Sequence, residues 1–274
     1  MTLRSTATVV RALDGLRLAG TLVAPGGAAE RAVVLVHGGG VTREEGGFFT
    51  RLAAGLGEAG VASLRCDLRG HGASEGEQQE VTLCAHLNDI RVIIDHIRET
   101  TEVTTISLLG ASFGGGLCAY YAAKRPEHLA RLVLLNPQLN YKNRYIDQKP
   151  YWFDDRLNDE AAWKLRAQGY LSHSPTVKHG RAFLNEVFWI RPHLVLDEIA
   201  APTLIVHGTQ DTFISIESSR AAVHQFTTEH KLVEIDGAQH GFAVHDDPKY
   251  ANPQSQAWQA FVIRAVVEWV TADS

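Results

Sequence analysis

The sequence predicts an α/β fold built on a mostly parallel central sheet, and three observations carry that prediction. Short apolar, β-branched runs at residues 32–36, 61–66, 104–109, 129–135, 203–206 and 231–235 alternate with stretches of helical periodicity. Continuous apolar runs of this length suit strands buried on both faces, as in a parallel sheet. Several of them end in glycine-containing turns that carry Ser, His or Asp, which places chemistry-bearing groups along the sheet's carboxyl edge. A chain of 274 residues, 45% hydrophobic and 21% charged, is long enough for one large core.

The elements follow in order. Residues 6–11 and 16–23 flank Asp14-Gly15, a pair suited to a tight hairpin turn, so the chain opens with antiparallel strands. The apolar run 32–36 ends at His37-Gly38-Gly39-Gly40. Taken alone these glycines read as a turn; taken with the serine turn downstream they read as a loop whose backbone N–H groups approach a reacting oxygen. His37 reads as a support for this loop. Residues 48–57 form an amphipathic helix and 61–66 a strand, followed by Asp67-Leu68-Arg69-Gly70-His71-Gly72-Ala73-Ser74. That loop is read as structural, with Asp67 paired to Arg69 and Ser74 capping. Residues 81–98 show a helical stripe of Leu83, Leu87, Ile90 and Ile94.

The strand 104–109 leads into Gly110-Ala111-Ser112-Phe113-Gly114, and a helix follows over 117–125. A turn this sharp strains the serine backbone and crowds the positions two residues away, where glycine removes the clash. Ser112 needs a base and an orienting acid to act as a nucleophile. Asp211, after the strand 203–206, and His240, after the strand 231–235, stand just past strand ends in the order Ser, acid, His. The strand 129–135 ends in Asn136, an amide at a place where an acid would be an alternative. Asp236 sits four residues before His240 and reads as a turn residue.

Between Pro137 and Ala200 the alternation of strand and helix breaks. This segment holds ten aromatics, among them Tyr145, Trp152, Tyr170 and Trp189, so it is too aromatic for a disordered loop. The division expected is an α/β core at 1–136 and 200–274 with a cap inserted at 137–199. The aromatics either pin the cap to the core or face a ligand, and Trp152, Tyr170 and Trp189 are the candidate substrate contacts. Charges in the same segment, including Lys142, Arg144, Asp147 and Lys149, read as a solvated surface. A closing helix is expected over 255–270.

Composition narrows the partners. A formal net charge of -5 without basic blocks disfavours nucleic acid and anionic membrane surfaces. Cys66, Cys84 and Cys118 are too scattered for a disulfide framework or zinc cluster, and no apolar run approaches the roughly 18 residues of a membrane span. A cytoplasmic protein is expected. His245, Asp246 and Asp247 read as solvated or helix-capping, so no metal is assigned.

With these residues in place, the chain resembles the α/β-hydrolase serine enzymes, closest to the cinnamoyl/feruloyl esterase-like branch alongside dienelactone-hydrolase-like and serine-aminopeptidase-like proteins. The likeness rests on His37-Gly38-Gly39, the loop from Asp67 to Ser74, the Ser112 turn, His207-Gly208-Thr209-Gln210-Asp211 and His240-Gly241-Phe242. It implies a mostly parallel sheet flanked by helices, a triad of Ser112, Asp211 and His240, and oxyanion donors at the N–H groups of Gly39 and Phe113. It also implies acyl transfer without a cofactor, and the mix of aromatics and charge between Pro137 and Ala200, which suits a soluble substrate, adds the expectation of a small-molecule ester of a mid-sized apolar or aromatic acid. A thioesterase or biosynthetic acyl-transfer enzyme is the alternative, a non-catalytic binding protein on the same fold is a third reading, and a homodimer stays open.

Overall fold

The computed structural model describes residues 2–272. The chain begins with β1 (Leu3–Arg11) and β2 (Arg17–Pro25), paired antiparallel with Leu3 opposite Pro25 and Arg11 opposite Arg17. Gly15 in their turn has φ +93°, a conformation in which any Cβ is strained. Then come β3 (Arg31–Val36), α1 (Phe48–Glu58), β4 (Ala62–Cys66), α2 (Leu83–Thr100), β5 (Thr105–Ala111), α3 (Phe113–Lys124) and β6 (Leu132–Leu135). The segment that follows holds two small hairpins, β7 (Trp152–Phe153) with β8 (Arg156–Leu157) and β9 (Tyr170–Ser174) with β10 (Val177–Gly180). Between and after them lie α4 (Asp159–Gln168) and α5 (Arg181–Glu186). The chain returns through β11 (Thr203–Gly208), α6 (Ile216–Ala222), β12 (His230–Ile235) and α7 (Pro253–Thr271).

Eight strands form one sheet in the order β1-β2-β4-β3-β5-β6-β11-β12. The pairs from β4 to β12 are parallel, and β2 runs against its neighbours. Both faces are buried because successive side chains of an extended strand point to opposite sides. Val33 and Leu35, Leu109, Val133 and Leu135, and Leu204 and Val206 join one core with Phe49, Leu52 and Leu56 of α1 and Val262 and Val266 of α7. Their neighbours Val34 and Val36, Leu108, Leu132 and Leu134, and Ile205 join the other, with Ile90, Ile94 and Ile97 of α2 and Leu117 of α3. Each fully buried Leu, Ile or Phe stabilises the fold by about 1.5–3 kcal/mol, so the two layers dominate its energetics. The segment from Pro137 to Ile199 has no core of its own: Tyr141, Tyr145, Phe183, Leu184 and Val187 extend the α2/α3 core.

The loop after β4 is structural, with different partners from those expected. Asp67 and Arg69 do not pair with each other. Asp67 accepts the N–H groups of Arg43 at 2.7 Å and Ala73 at 2.8 Å and bonds the Arg43 guanidinium. Arg69 reaches the other way, bidentate to the fully buried Asp89 of α2 at 2.7 and 2.6 Å and on to Asp14 in the first hairpin turn at 2.7 Å. The helical stripe did not disclose Asp89, which faces inward beside Ile90. Ser74 caps no helix; its hydroxyl donates to Asp67 O and accepts Ala19 N–H, tying the loop to β2. Among the described residues no helix is long and apolar enough to cross a membrane.

Candidate active site

Ser112 is the junction between β5 and α3, with φ +50° and ψ −117°. That strain persists because its backbone is held on both sides: Ser112 N–H donates to Leu135 O at 2.9 Å, and Ser112 O accepts Gln138 N–H at 2.8 Å. A Cβ on Gly110 would collide with the Gly114 carbonyl, and one on Gly114 would lie 2.5 Å from His37 O. Both elbow glycines are therefore required. Gly115 and Gly116 face Pro137, Gln138 and Tyr141 just as closely, so three consecutive glycines in α3 let the segment after β6 lie against it. Tyr141 donates its hydroxyl to Phe113 O at 2.7 Å, fixing the first turn of the helix.

Asp211 and His240 come together from the ends of β11 and β12. His240 Nδ1 donates to Asp211 Oδ2 at 2.6 Å, which leaves Nε2 facing the cavity that Ser112 also lines. Asp211 Oδ1 accepts the N–H groups of Phe213 at 2.8 Å and Ile214 at 2.9 Å. Burial by itself would raise this carboxyl. Hydrogen bonds from His207 and His240 and from the Ile214 N–H outweigh burial and hold it well below the usual carboxylate range. His207, fully buried, is locked in turn between Ser219 Oγ at 2.7 Å and Ile214 O at 2.9 Å. Asp236 is exposed and bonds Thr209 at 3.2 Å, so it takes no part in orienting His240. Asn136, at φ +42°, spends its side chain on Gly208 N–H at 3.0 Å, joining the ends of β6 and β11.

The loop after β3 closes the site. His37 is fully buried, donating from Nδ1 to Gly38 O at 2.7 Å and accepting Leu68 N–H at Nε2. Burial, with the nearby His71, pushes its pKa down to about 4, so it serves as a neutral brace. Gly38 N–H donates to the Glu45 carboxyl, whereas Gly39 and Phe113, which both line the cavity, have N–H groups that donate to no acceptor among the described residues. Phe113 is the first residue of α3, where a backbone N–H has no intrahelical acceptor and sees the positive end of the helix dipole. Steric need for glycine falls on Gly38: a Cβ there would meet Glu45 Oε1 at 3.1 Å and Ser112 Cβ at 3.2 Å. At Gly39 it would make an ordinary 3.5 Å contact with Phe113. The Ser112 hydroxyl itself makes no side-chain hydrogen bond among the described residues. Contacts of this kind commonly tighten only when substrate is bound.

The cavity measures about 310 Å³. Its apolar wall includes Val41, Phe48, Leu135, Phe213, Ile214 and Phe242, and the segment after β6 supplies Arg144, Tyr145, His173 and Val177. The three aromatics expected to meet substrate are elsewhere. Trp152 lines a separate surface recess with Phe188, Tyr170 stacks under Lys178 at 4.8 Å, and Trp189 is 82% exposed. Side-chain size marked them as contacts, but the segment's irregular backbone decides which residues turn inward. Arg144 and His173 were missed for the same reason; Glu45 lies instead in the loop after β3, where the one local hint is Glu45-Gly46-Gly47, three consecutive residues that adopt positive φ.

Comparison with known proteins places this geometry. A family model described as serine aminopeptidase, S33, matches residues 27–173, and the dienelactone hydrolase family model matches residues 168–269. Est1E from Butyrivibrio proteoclasticus, solved with ferulic acid bound, superposes with a TM-score of 0.76 at 26% identity, covering 95% of this chain and 99% of that one. A monoacylglycerol lipase of Mycolicibacterium smegmatis is 23% identical over 95% of both chains. Protein ABHD8 of Mus musculus is 25% identical over 71% of this chain, which spans about half (48%) of that relative's length. The matched model takes in the His37 loop, the Ser112 elbow and the sheet between them, and the chain belongs to the serine aminopeptidase S33 family of α/β-hydrolases.

Proposed function

We propose that the chain is a serine hydrolase that cleaves carboxylic esters of mid-sized acyl groups through an acyl-enzyme. The observation that carries this is the strained elbow serine opening into the same cavity as an imidazole whose far nitrogen is held by a buried carboxylate. His240 Nε2 takes the Ser112 proton as Oγ bonds to the ester carbon, and the carbonyl electron pair moves onto oxygen. Asp211 holds Nδ1 protonated and stabilises the imidazolium. The N–H groups of Gly39 and Phe113 receive the oxyanion, each such donor being worth about 10²–10³ in kcat. Collapse breaks the bond to the alcohol, which leaves with the proton from His240; water then repeats the sequence and frees Ser112.

Residues 137–199 act in this reading as a cap over the core formed by 1–136 and 200–274, supported by the six residues of that segment in the cavity wall. A volume of about 310 Å³ suits a mid-sized acyl group rather than a long lipid chain. Three free cysteines support a cytoplasmic setting. Thioester cleavage is the second reading, favoured by a 24% match over 58% of the chain to human palmitoyl-protein thioesterase ABHD10. The test is turnover of p-nitrophenyl esters from two to ten carbons beside matched thioesters. An optimum at intermediate acyl length, with Ser112→Ala lowering kcat by about 10⁴ or more, supports the esterase. A clear thioester preference promotes the second reading, and a fully active Ser112→Ala ends both.

A further inference from the structure

The roof of the cavity carries positive charge that the protein does not neutralise. Arg144 lies in a π-helical turn, Asn143–Asp147, half-buried and lining the cavity. Among the described residues its guanidinium has no ion pair and no hydrogen bond. Lys149, half-buried one turn on, likewise has no acidic partner, and desolvation together with Arg144 lowers its pKa. His173 lines the cavity beside them; its Nδ1 is buried without a hydrogen-bond partner, and burial, Lys149 and Arg144 push its pKa down to about 4.

The acids of the neighbourhood are committed elsewhere. Asp147 and Asp155 both bind Lys142, at 2.7 Å each. Glu45, which also lines the cavity, accepts Gly38 N–H with its carboxyl and is held toward its neutral form by burial. Arg144 and an orphaned imidazole nitrogen share the cavity wall and the charge of Lys149 is felt at His173, so like charges repel and a polar atom goes unsatisfied. A planar anion supplies what is missing: two oxygens for the guanidinium fork, a countercharge for Lys149 and a polar partner for His173.

We propose that Arg144, backed by Lys149 and His173, forms a subsite for a carboxylate carried by the ester substrate, so that the preferred substrates are half-esters or carboxyaryl esters rather than neutral ones. The proposal rests on the Ser112 reading and adds the substrate's charge to it. The carboxylate can belong to the acyl part or to the alcohol, and two matched pairs separate these. Mono-p-nitrophenyl adipate against p-nitrophenyl hexanoate reads the acyl side; 4-acetoxybenzoate against 4-acetoxybenzamide reads the alcohol side.

The wild type is expected to favour the anionic member of one pair by roughly 10-fold or more in kcat/KM, the scale of a charged hydrogen bond. In Arg144→Gln that ratio should fall by a similar factor, and Arg144→Lys should keep part of it. No anionic preference in either pair, or a ratio indifferent to Arg144→Gln, overturns the subsite. Ser112→Ala is run on all four esters: if it abolishes turnover while the ratios ignore Arg144, the catalytic reading stands and the subsite alone fails. Turnover that survives Ser112→Ala removes the reading beneath it.

Discussion

At the scale of single residues, Asp211 shows how local bonding decides a role. Both of its oxygens are used, one by two backbone N–H groups and one by His240. In Asp211→Asn the amide oxygen can still accept from Phe213 and Ile214, but the nitrogen side meets His240 and favours the wrong tautomer. Turnover should fall by about 10⁴ with the fold retained, as circular dichroism would show. The charge also matters for stability. Because the folded pKa is depressed, the carboxylate's contribution is complete above about pH 4 and is lost as pH falls below it. Wild type should therefore lose more stability than Asp211→Asn between pH 4 and 2. A second contrast tests the oxyanion loop. Gly38→Ala must displace Ser112 or Glu45 and should lower kcat by up to about 10²-fold, whereas Gly39→Ala should fold and turn over short acyl esters. Equal tolerance of both would show that the loop is not held as described.

At the scale of elements, buried ion pairing links pieces that the sheet does not. Arg69 ties α2 to the first hairpin turn through Asp89 and Asp14. Removing Asp89 as Asp89→Ala leaves the guanidinium buried with one exposed partner, and urea unfolding should show a loss of about 3–5 kcal/mol. A loss under 1 kcal/mol would mean that the pair is dispensable. The parallel strands and the placing of Ser112, Asp211 and His240 at their ends were legible in the sequence because those constraints are local or ordered: glycines flanking Ser112, apolar runs ending near Asp211 and His240. Arg69's partners were not, since Asp89 sits in a helix whose apolar stripe masks a buried acid. Nor were the cavity residues of the segment after β6. The π-helical turn inserts an extra residue per turn, with Gln148 N–H reaching Asn143 O, and so shifts which side chains point inward. Arg144 and Tyr145 enter the cavity by that shift, while the larger Trp189 is left in solvent.

At the scale of the whole molecule, neutral histidines are built into the layer around the site. His37 is held near pKa 4 by burial, and His86 and His179 lie well below the usual value for the same reason. Between about pH 6.5 and 4 the unfolded chain takes up protons that these folded histidines refuse, so stability falls as pH is lowered through that window. His37 alone accounts for roughly 3 kcal/mol once the lower limit is passed. Tm should drop steadily from pH 7 to 4.5, and a flat profile would contradict the buried neutral assignment. Every step proposed for the site depends on the elbow serine acting as the nucleophile. The most direct measurement is peptide mapping by mass spectrometry after reaction with a fluorophosphonate. A single adduct on Ser112 is expected, absent in Ser112→Ala and slowed by orders of magnitude in His240→Ala; an adduct on another residue, or none while ester turnover proceeds, would show that Ser112 is not the nucleophile.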